Sequence, residues 1–313
     1  MLESLVFSVS ITGPIFIVMA LGVWLNKAGH IDDHFVDVGS KLVFNITLPA
    51  LLFINVANTP LHTAANPNML AIGIFGTLVA YLLLEKAASR WIAEPRDRGV
   101  VVQGGFRANM GIIGLAYSFN AYGNEGLAVA SIFLGIVTIV YNVLSVITLS
   151  RWLEGGFNLQ RTLKGIAKNP IILSIVAALP LAWFELGLPN WVERTGSYFA
   201  QMTLPLALLC TGASLPLKSL RNNLKGTLLA STFKLIFVPV GMTATAVLLG
   251  IRGMDLGVLA MMVAGPTAAA SYVMVRAMGG DAKLAATIIA STTLGSIITN
   301  SALIGALHHW GWL

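Results

Sequence analysis

Two runs of this sequence combine residue types that can do chemistry inside apolar surroundings. The first, Gly104-Gly105-Phe106-Arg107-Ala108-Asn109-Met110-Gly111-Ile112-Ile113-Gly114, holds four glycines and an Asn in eleven residues. The second, Ala264-Gly265-Pro266-Thr267-Ala268-Ala269-Ala270-Ser271-Tyr272, places a proline in the middle of an apolar stretch, where it removes a backbone donor and disturbs the preceding turn. A helix interrupted at such a point exposes N–H groups at the start of its second half, and the helix dipole makes that point favourable for an anion. Asn109 and Thr267 can add side-chain hydrogen bonds there, with Ser271 and Tyr272 one turn further on. These residues, with Gly111, Gly114 and Pro266, form the expected substrate-binding set, and Arg107 and Lys234 are its electrostatic candidates. Each has a competing structural reading. The small residues serve as close-packing positions and Pro266 as a simple kink. Arg107 serves as an anchor at the membrane surface, and Lys234 as a long stem reaching the interface or a partner carbonyl. Asn45, Asn55, Asn142 and Asn300 read as polar glue between helices.

The remaining ionisable groups exclude other chemistries. All 13 acidic residues and all 5 histidines fall in loops or at the ends of apolar stretches, so no carboxylate is expected near a membrane midplane to carry a proton or sodium. The cluster His30-Ile31-Asp32-Asp33-His34 with Asp37 raises a metal-dependent membrane enzyme as an alternative. Its spacing matches no metal motif, and a solvated turn between helices accounts for it. Cys210 is the single cysteine and sits in an apolar block, so it offers neither a disulfide nor a metal cluster. No cofactor is implied.

The elements that must hold these runs are membrane helices. With 56% hydrophobic residues, 10% charged residues and a mean hydropathy of +0.81, the 313-residue chain is too apolar for a water-soluble or disordered protein. Its apolar residues lie in blocks of membrane-spanning length, not in the period-two pattern of an outer-membrane barrel. A ruler of about 20 residues per crossing predicts spans near 7–26, 38–57, 69–88, 103–122, 126–149, 168–185, 195–215, 226–249, 257–278 and 284–307. Glu3 is the only charged side chain before the first span, which therefore reads as a retained helix and not a signal peptide. Loops on one side carry 16 of the 19 basic residues and loops on the other carry Arg194 and Arg252, with Lys234 inside a span. Positively charged loops stay in the cytoplasm, so both termini are expected outside an inner, or cell, membrane. The same bias accounts for the net charge of +6 without nucleic acid.

The halves of the chain match at an offset of 156. Thr47-Leu48-Pro49 pairs with Thr203-Leu204-Pro205 and Pro60-Leu61 with Pro216-Leu217; with Leu52/Leu208 and Ala57/Ala213 this gives seven identities in fifteen positions. Pro14-Ile15 against Pro170-Ile171 and Ala121-Tyr122-Gly123 against Ala277-Met278-Gly279 fall on the same offset. The fold class expected is all-α and polytopic, with ten transmembrane helices as a five-plus-five inverted repeat, residues 1–155 and 156–313. An odd number of spans per copy inserts the second copy upside down, the plan of secondary transporters. The two runs rich in Gly and Pro then occupy corresponding spans, the fourth and the ninth.

At these residues the sequence resembles the auxin efflux carrier family, whose bacterial members include malonate- and malate-type carriers. The resemblance rests on Lys41 to Phe53, on Arg107-Ala108-Asn109-Met110-Gly111-Ile112-Ile113-Gly114, on Lys234 to Pro239, and on the run from Pro266 through Tyr272-Val273 to Gly279-Gly280-Asp281. It implies a fold similar to bile-acid symporters, with spans four and nine crossing as broken helices in a mobile domain. Spans one, two, six and seven would form a scaffold that often mediates homodimers. Where relatives commonly have Pro after the Ile-Gly-Leu of the fourth span, this chain has Ala116, so its first break is expected to rely on Gly111 and Gly114.

The expected function is a secondary transporter of small organic anions working by alternating access in the lipid bilayer, and not an enzyme. The alternative within transport is a sodium-coupled symporter of larger, bile-acid-like anions. The topology has a direct check: a cysteine introduced at position 160 should react with impermeant reagents only after the cytoplasmic face is opened. Labelling in intact cells would reverse the orientation.

Overall fold

The computed structural model describes residues 2–58, 66–153, 167–215 and 223–313. The boundary expected at 155/156, most of the 150–168 loop and the Pro60-Leu61 and Pro216-Leu217 pair lie outside the described residues. Within them the chain is helical, and its only β-type pairing is a bridge between Ala108 and Thr267.

The first helix, α1 (Leu2–Lys27), leads through a turn to α2 (Asp33–Leu42). Here the acidic cluster finds its role: the Asp32 carboxylate accepts the Phe35 N–H at 2.8 Å as an N-cap, and Asp37 pairs with Lys41 at 2.6 Å. A widened π-turn, Val43–Thr47, joins α2 to α3 (Leu48–Ala57), and a second, Phe233–Phe237, joins α9 (Leu224–Thr232) to α10 (Val238–Leu248). Both have one cause. Pro49 and Pro239 cannot donate to the carbonyls four residues back and their rings crowd them, so the backbone opens and bonds five residues back, Leu48 to Val43 and Val238 to Phe233.

Between these lie α4 (Pro67–Trp91), α5 (Pro95–Phe106), α6 (Leu115–Trp152), α7 (Pro170–Trp183) and α8 (Asn190–Ala213). The chain closes with α11 (Gly253–Ala264), α12 (Ala270–Ala277) and α13 (Ala282–His309). Among the described residues six segments are long and apolar enough to cross a membrane: Val6–Lys27, Asp33–Ala57, Pro67–Trp91, Met110–Trp152, Leu224–Leu248 and Ala282–His309. The ten-segment expectation distributes over these for physical reasons. Met110–Trp152 holds parts of two expected spans, separated at Gly123, whose φ of 60° and ψ of −144° turn the chain inside α6. The ninth is divided into α11 and α12, and the sixth is the 14-residue α7.

The helices form two layers. In one, α1 lies against α8, and α3 against both α7 and α8; in the other, α4, α5, α6 and α9–α13 surround the broken elements. The first layer is held by backbone proximity. A Cβ on Gly212 would run into the Met19 carbonyl, and one on Gly22 into the Leu209 carbonyl, so only glycine permits this approach. The chain ends meet on one face: Phe7 stacks on His308 at 4.2 Å, and the Thr12 and Ser301 hydroxyls lie 3.0 Å apart. Helices α1 and α13 are thus antiparallel. Gly212→Ala should force α1 from α8 at a cost of about 1–3 kcal/mol, read as a lowered melting temperature, whereas Gly241→Ala, with open space around it, should leave stability unchanged.

Candidate functional site

Helix α5 ends at Phe106, and Arg107 (φ −81°, ψ 102°) and Asn109 (φ −79°, ψ 63°) leave helical geometry before a third π-turn, Met110–Gly114, leads into α6. Helix α11 ends at Ala264, Gly265 is extended (φ −51°, ψ 144°), and the chain coils again in α12. The two extended stretches cross antiparallel and bond to each other: Asn109 N–H to the Pro266 carbonyl at 2.7 Å, and Ala268 N–H to the Arg107 carbonyl at 3.0 Å. Thr267 anchors the crossing on both sides. Its hydroxyl donates to the Gly104 carbonyl at 2.6 Å, and its N–H donates to the Thr292 hydroxyl at 3.1 Å. Without water, every backbone group freed by the breaks needs such a partner.

The first break therefore lies upstream of where the sequence placed it. Gly111 and Gly114 sit in the π-turn after the break, and Ala116 is inside α6. The interruption is fixed by pairing with Pro266–Ala268, so it needs no proline after Gly114. Gly114 serves packing, because a Cβ there would lie 2.8 Å from Met262 Sδ.

Beside the crossing is a cavity of about 270 Å³ lined by Arg107, Asn109, Met110 and Gly111, by Ala268–Ala270, by Phe44 and Asn45, by Leu134, Thr138, Tyr141 and Asn142, and by the first turn of α7, Asn169–Ile171. No protein acceptor among the described residues meets the N–H groups of Met110, Gly111 and Ile112, or those of Ala269 and Ala270. Two half-helix N-termini thus present unsatisfied donors next to one space. The Asn109 amide, at 7% exposure, makes no hydrogen bond within the described residues. Arg107 is also 7% exposed, which removes the surface-anchor reading. Its guanidinium donates to Ser145 Oγ at 3.1 Å, Asn142 Oδ1 at 2.8 Å and Met274 Sδ at 2.8 Å, all neutral, and no carboxylate within the described residues pairs with it.

Of the expected set, Arg107, Asn109 and Gly111 line this cavity. Gly114, Pro266, Thr267, Ser271 and Tyr272 do not: Pro266 and Thr267 build the crossing, Ser271 is buried behind it, and Tyr272 lies further along α12. Asn45 and Asn142, read as glue, are cavity residues; the π-turn before Pro49 carries Asn45 there. Thr138, Tyr141 and Asn169 were missed. Asn169-Pro170 did carry a signal, an N-cap before a proline, and the Asn169 side chain accepts the Ile171 N–H at 2.9 Å.

A family model described as membrane transport protein matches the chain twice, over residues 9–156 and 157–304. The chain belongs to this family, the auxin efflux carriers that its motifs resemble. It is 24% identical over 308 residues to an uncharacterized transporter of Methanocaldococcus jannaschii, covering 96% of each chain. To an uncharacterized transporter of Methanothermobacter thermautotrophicus it is 21% identical over 288 residues, covering 91% of this chain and 93% of the relative. The protein is thus a membrane transporter, and the crossing is the irregular backbone such a fold tolerates only where protein or a cavity surrounds it.

Two further buried ionisable side chains lie outside the transporter's cavity. Lys234 is 0% exposed and donates to the Val263 carbonyl at 2.9 Å, so the ammonium caps the end of α11 one residue before that helix stops. It takes up the partner-carbonyl reading and does not line the cavity. Glu85, near the end of α4 and expected among the acidic groups at the ends of apolar stretches, is buried. It accepts from the Thr148 hydroxyl and the Trp152 indole N–H, with Arg151 at 3.6 Å, and ties α4 to α6. The crossing itself can be tested at Thr292. Thr292→Val keeps the shape but leaves the Thr267 N–H unpartnered, at a cost of about 1–3 kcal/mol. A lower melting temperature than that of wild type is expected, with Thr299→Val, whose hydroxyl bonds only within its own helix, as the silent comparison.

Proposed function

We propose that this transporter carries small organic anions, carboxylates above all, across the cell membrane by alternating access, with substrate held in the cavity beside the crossing. One observation carries the reading: a buried guanidinium, Arg107, without a carboxylate partner, faces the same space as two half-helix N-termini and the free Asn109 amide. In a low-dielectric interior an uncompensated cation of this kind is costly, and a bound carboxylate offsets that cost through charge-assisted hydrogen bonds. The volume of about 270 Å³ favours a small anion over a bile-acid-like one, since drug-sized ligands occupy pockets of roughly 300–1,000 Å³.

The transport cycle rests on ten crossings arranged as an inverted repeat, residues 1–155 and 156–313, with both termini outside. Three features support this arrangement. Gly123 and Gly279, related by the offset of 156, both take positive φ, 60° and 78°. The α1–α8 and α3–α7 contacts are exchanged by the same offset. The two breaks also fall at matching positions. The layer containing α1–α3, α7 and α8 is the scaffold, and it offers the surface for a homodimer. Coupling does not depend on a titrating carboxylate, because Glu85 is engaged by two hydrogen-bond donors and the Arg151 ion pair away from the cavity.

Binding of a panel of carboxylates to purified protein, with and without sodium, tests the proposal. At least one small carboxylate should raise the melting temperature. Asn109→Ala should weaken it by about 1–3 kcal/mol while leaving the unliganded protein as stable as before, and Arg107→Gln should abolish binding. Unchanged affinity in both variants would refute the site.

A further inference from the structure

A second, larger cavity lies on the face where the chain ends meet, and its charge is opposite to that of the site. It measures about 900 Å³ and opens between α1, α3, α8 and the first part of α6. Its floor is apolar, with Pro14, Ile15, Leu51 and Leu204, and it carries two carboxylates, Glu125 and Glu193, and no basic residue. Asn58 Nδ2 donates to Glu193 Oε1 at 3.2 Å and holds that carboxylate at the rim. Tyr122 abuts Gly257, one turn into α11, whose first residue Gly253 donates to the Trp312 carbonyl at 2.8 Å, so Glu125 also lies toward the terminal face.

The two cavities share no lining residue. Fully buried Leu48 stands over Gly111, with its Cδ2 3.6 Å from where a Cβ on that glycine would be, and Leu134 is 4.0 Å from the same point. An anion in the first cavity meets Arg107 and free N–H groups; in the second it meets Glu125 and Glu193. The whole chain carries the same polarity. Among the described residues the terminal face has two basic residues, Arg194 and Arg252, against five acidic ones, Glu3, Glu125, Glu185, Glu193 and Asp255. Arg194 follows Glu193 on α8 and does not line the cavity, so the vestibule's own charge is uncompensated.

We infer that Glu125 and Glu193 make this vestibule an electrostatic filter that opposes the approach of anions from the terminal face, so that capture at the crossing is asymmetric between the two faces. The inference rests on the anion-carrier reading for its meaning in transport, but the field in the vestibule is measurable without a substrate. Carboxylates at the mouth of a low-dielectric cleft concentrate cations and deplete anions, and the effect weakens with salt.

The test uses thiol-reactive probes of similar size and opposite charge, the 2-sulfonatoethyl and 2-(trimethylammonio)ethyl methanethiosulfonates, on purified full-length protein in detergent. Buried Cys210 is replaced by Ala, and single cysteines are placed at Ser197 in the vestibule and Thr138 in the cavity, with exposed Gly187 as reference. Gln201→Cys is the second vestibule position should Ser197→Cys fold poorly. Relative to Gly187→Cys, the vestibule cysteine should prefer the cationic reagent by about tenfold at low salt. The preference should shrink toward parity in the Glu125→Gln/Glu193→Gln background and at high salt. Thr138→Cys should prefer the anionic reagent whether or not the carboxylates are present. A vestibule preference equal to that at Gly187→Cys, or one unchanged by removing both carboxylates, would overturn the filter. A missing anionic preference at Thr138→Cys alone would instead count against the anion-carrier reading and leave the filter standing.

Discussion

Everything in this molecule depends on how two interrupted helices satisfy their backbones where water is absent. Breaking a helix in a membrane frees donors at one end and acceptors at the other, and each unsatisfied group costs several kcal/mol. The reciprocal bonds between Asn109 and Pro266 and between Arg107 and Ala268 absorb part of that cost, and Thr267 absorbs more through Gly104 and Thr292. On the acceptor side, Lys234 reaches the Val263 carbonyl at the end of α11. Among the described residues the N–H groups of Met110 to Ile112 and of Ala269 and Ala270 still lack a protein acceptor where the cavity lies, and the Arg107 guanidinium adds a positive charge beside them.

The same accounting explains why irregular backbone recurs elsewhere in the chain. The π-turns before Pro49 and Pro239 re-aim side chains without ending the helix, because a wider turn bypasses the missing N–H. One turn directs Asn45 to the cavity and the other contains Lys234. Proline in these spans acts less as a hinge than as a means of rotating a short run of side chains against the rest of the helix. Glycine has a complementary use. Gly22 and Gly212 bring α1 and α8 to backbone contact, whereas Gly123 and Gly279 reverse the chain with positive φ.

Much of this was legible in the sequence, and the limits are instructive. Hydropathy marked the helices, and the paired runs around Asn109 and Pro266 marked the crossing, because Gly and Pro in an apolar span leave few structural options. The location of the first break was not legible. It is decided by pairing with a segment some 160 residues away, which local composition cannot register. Nor could composition separate the asparagines. Asn45 and Asn142 look like Asn55 and Asn300, yet the first two line the cavity, while Asn300 donates to Tyr117 within the buried core at 2.9 Å. Burial of Glu85 was hidden for the same reason: its partners Thr148 and Trp152 belong to another helix.

One pair of repeat-related leucines bears on the proposed change of access. Leu48 closes the space over Gly111 from the scaffold layer, and its counterpart at the offset of 156, Leu204, lines the vestibule instead. Both precede the proline of a Thr-Leu-Pro run, and both threonines are fully buried. In the proposed inverted-repeat carrier, equivalent residues in unequal surroundings are what two halves in different conformations would show, and alternating access would exchange those surroundings. On that proposal the exchange would slide one layer over the other without breaking the crossing. The bonds of Asn109, Thr267 and Ala268 all remain within the second layer, so that layer can move as a unit with its substrate site intact.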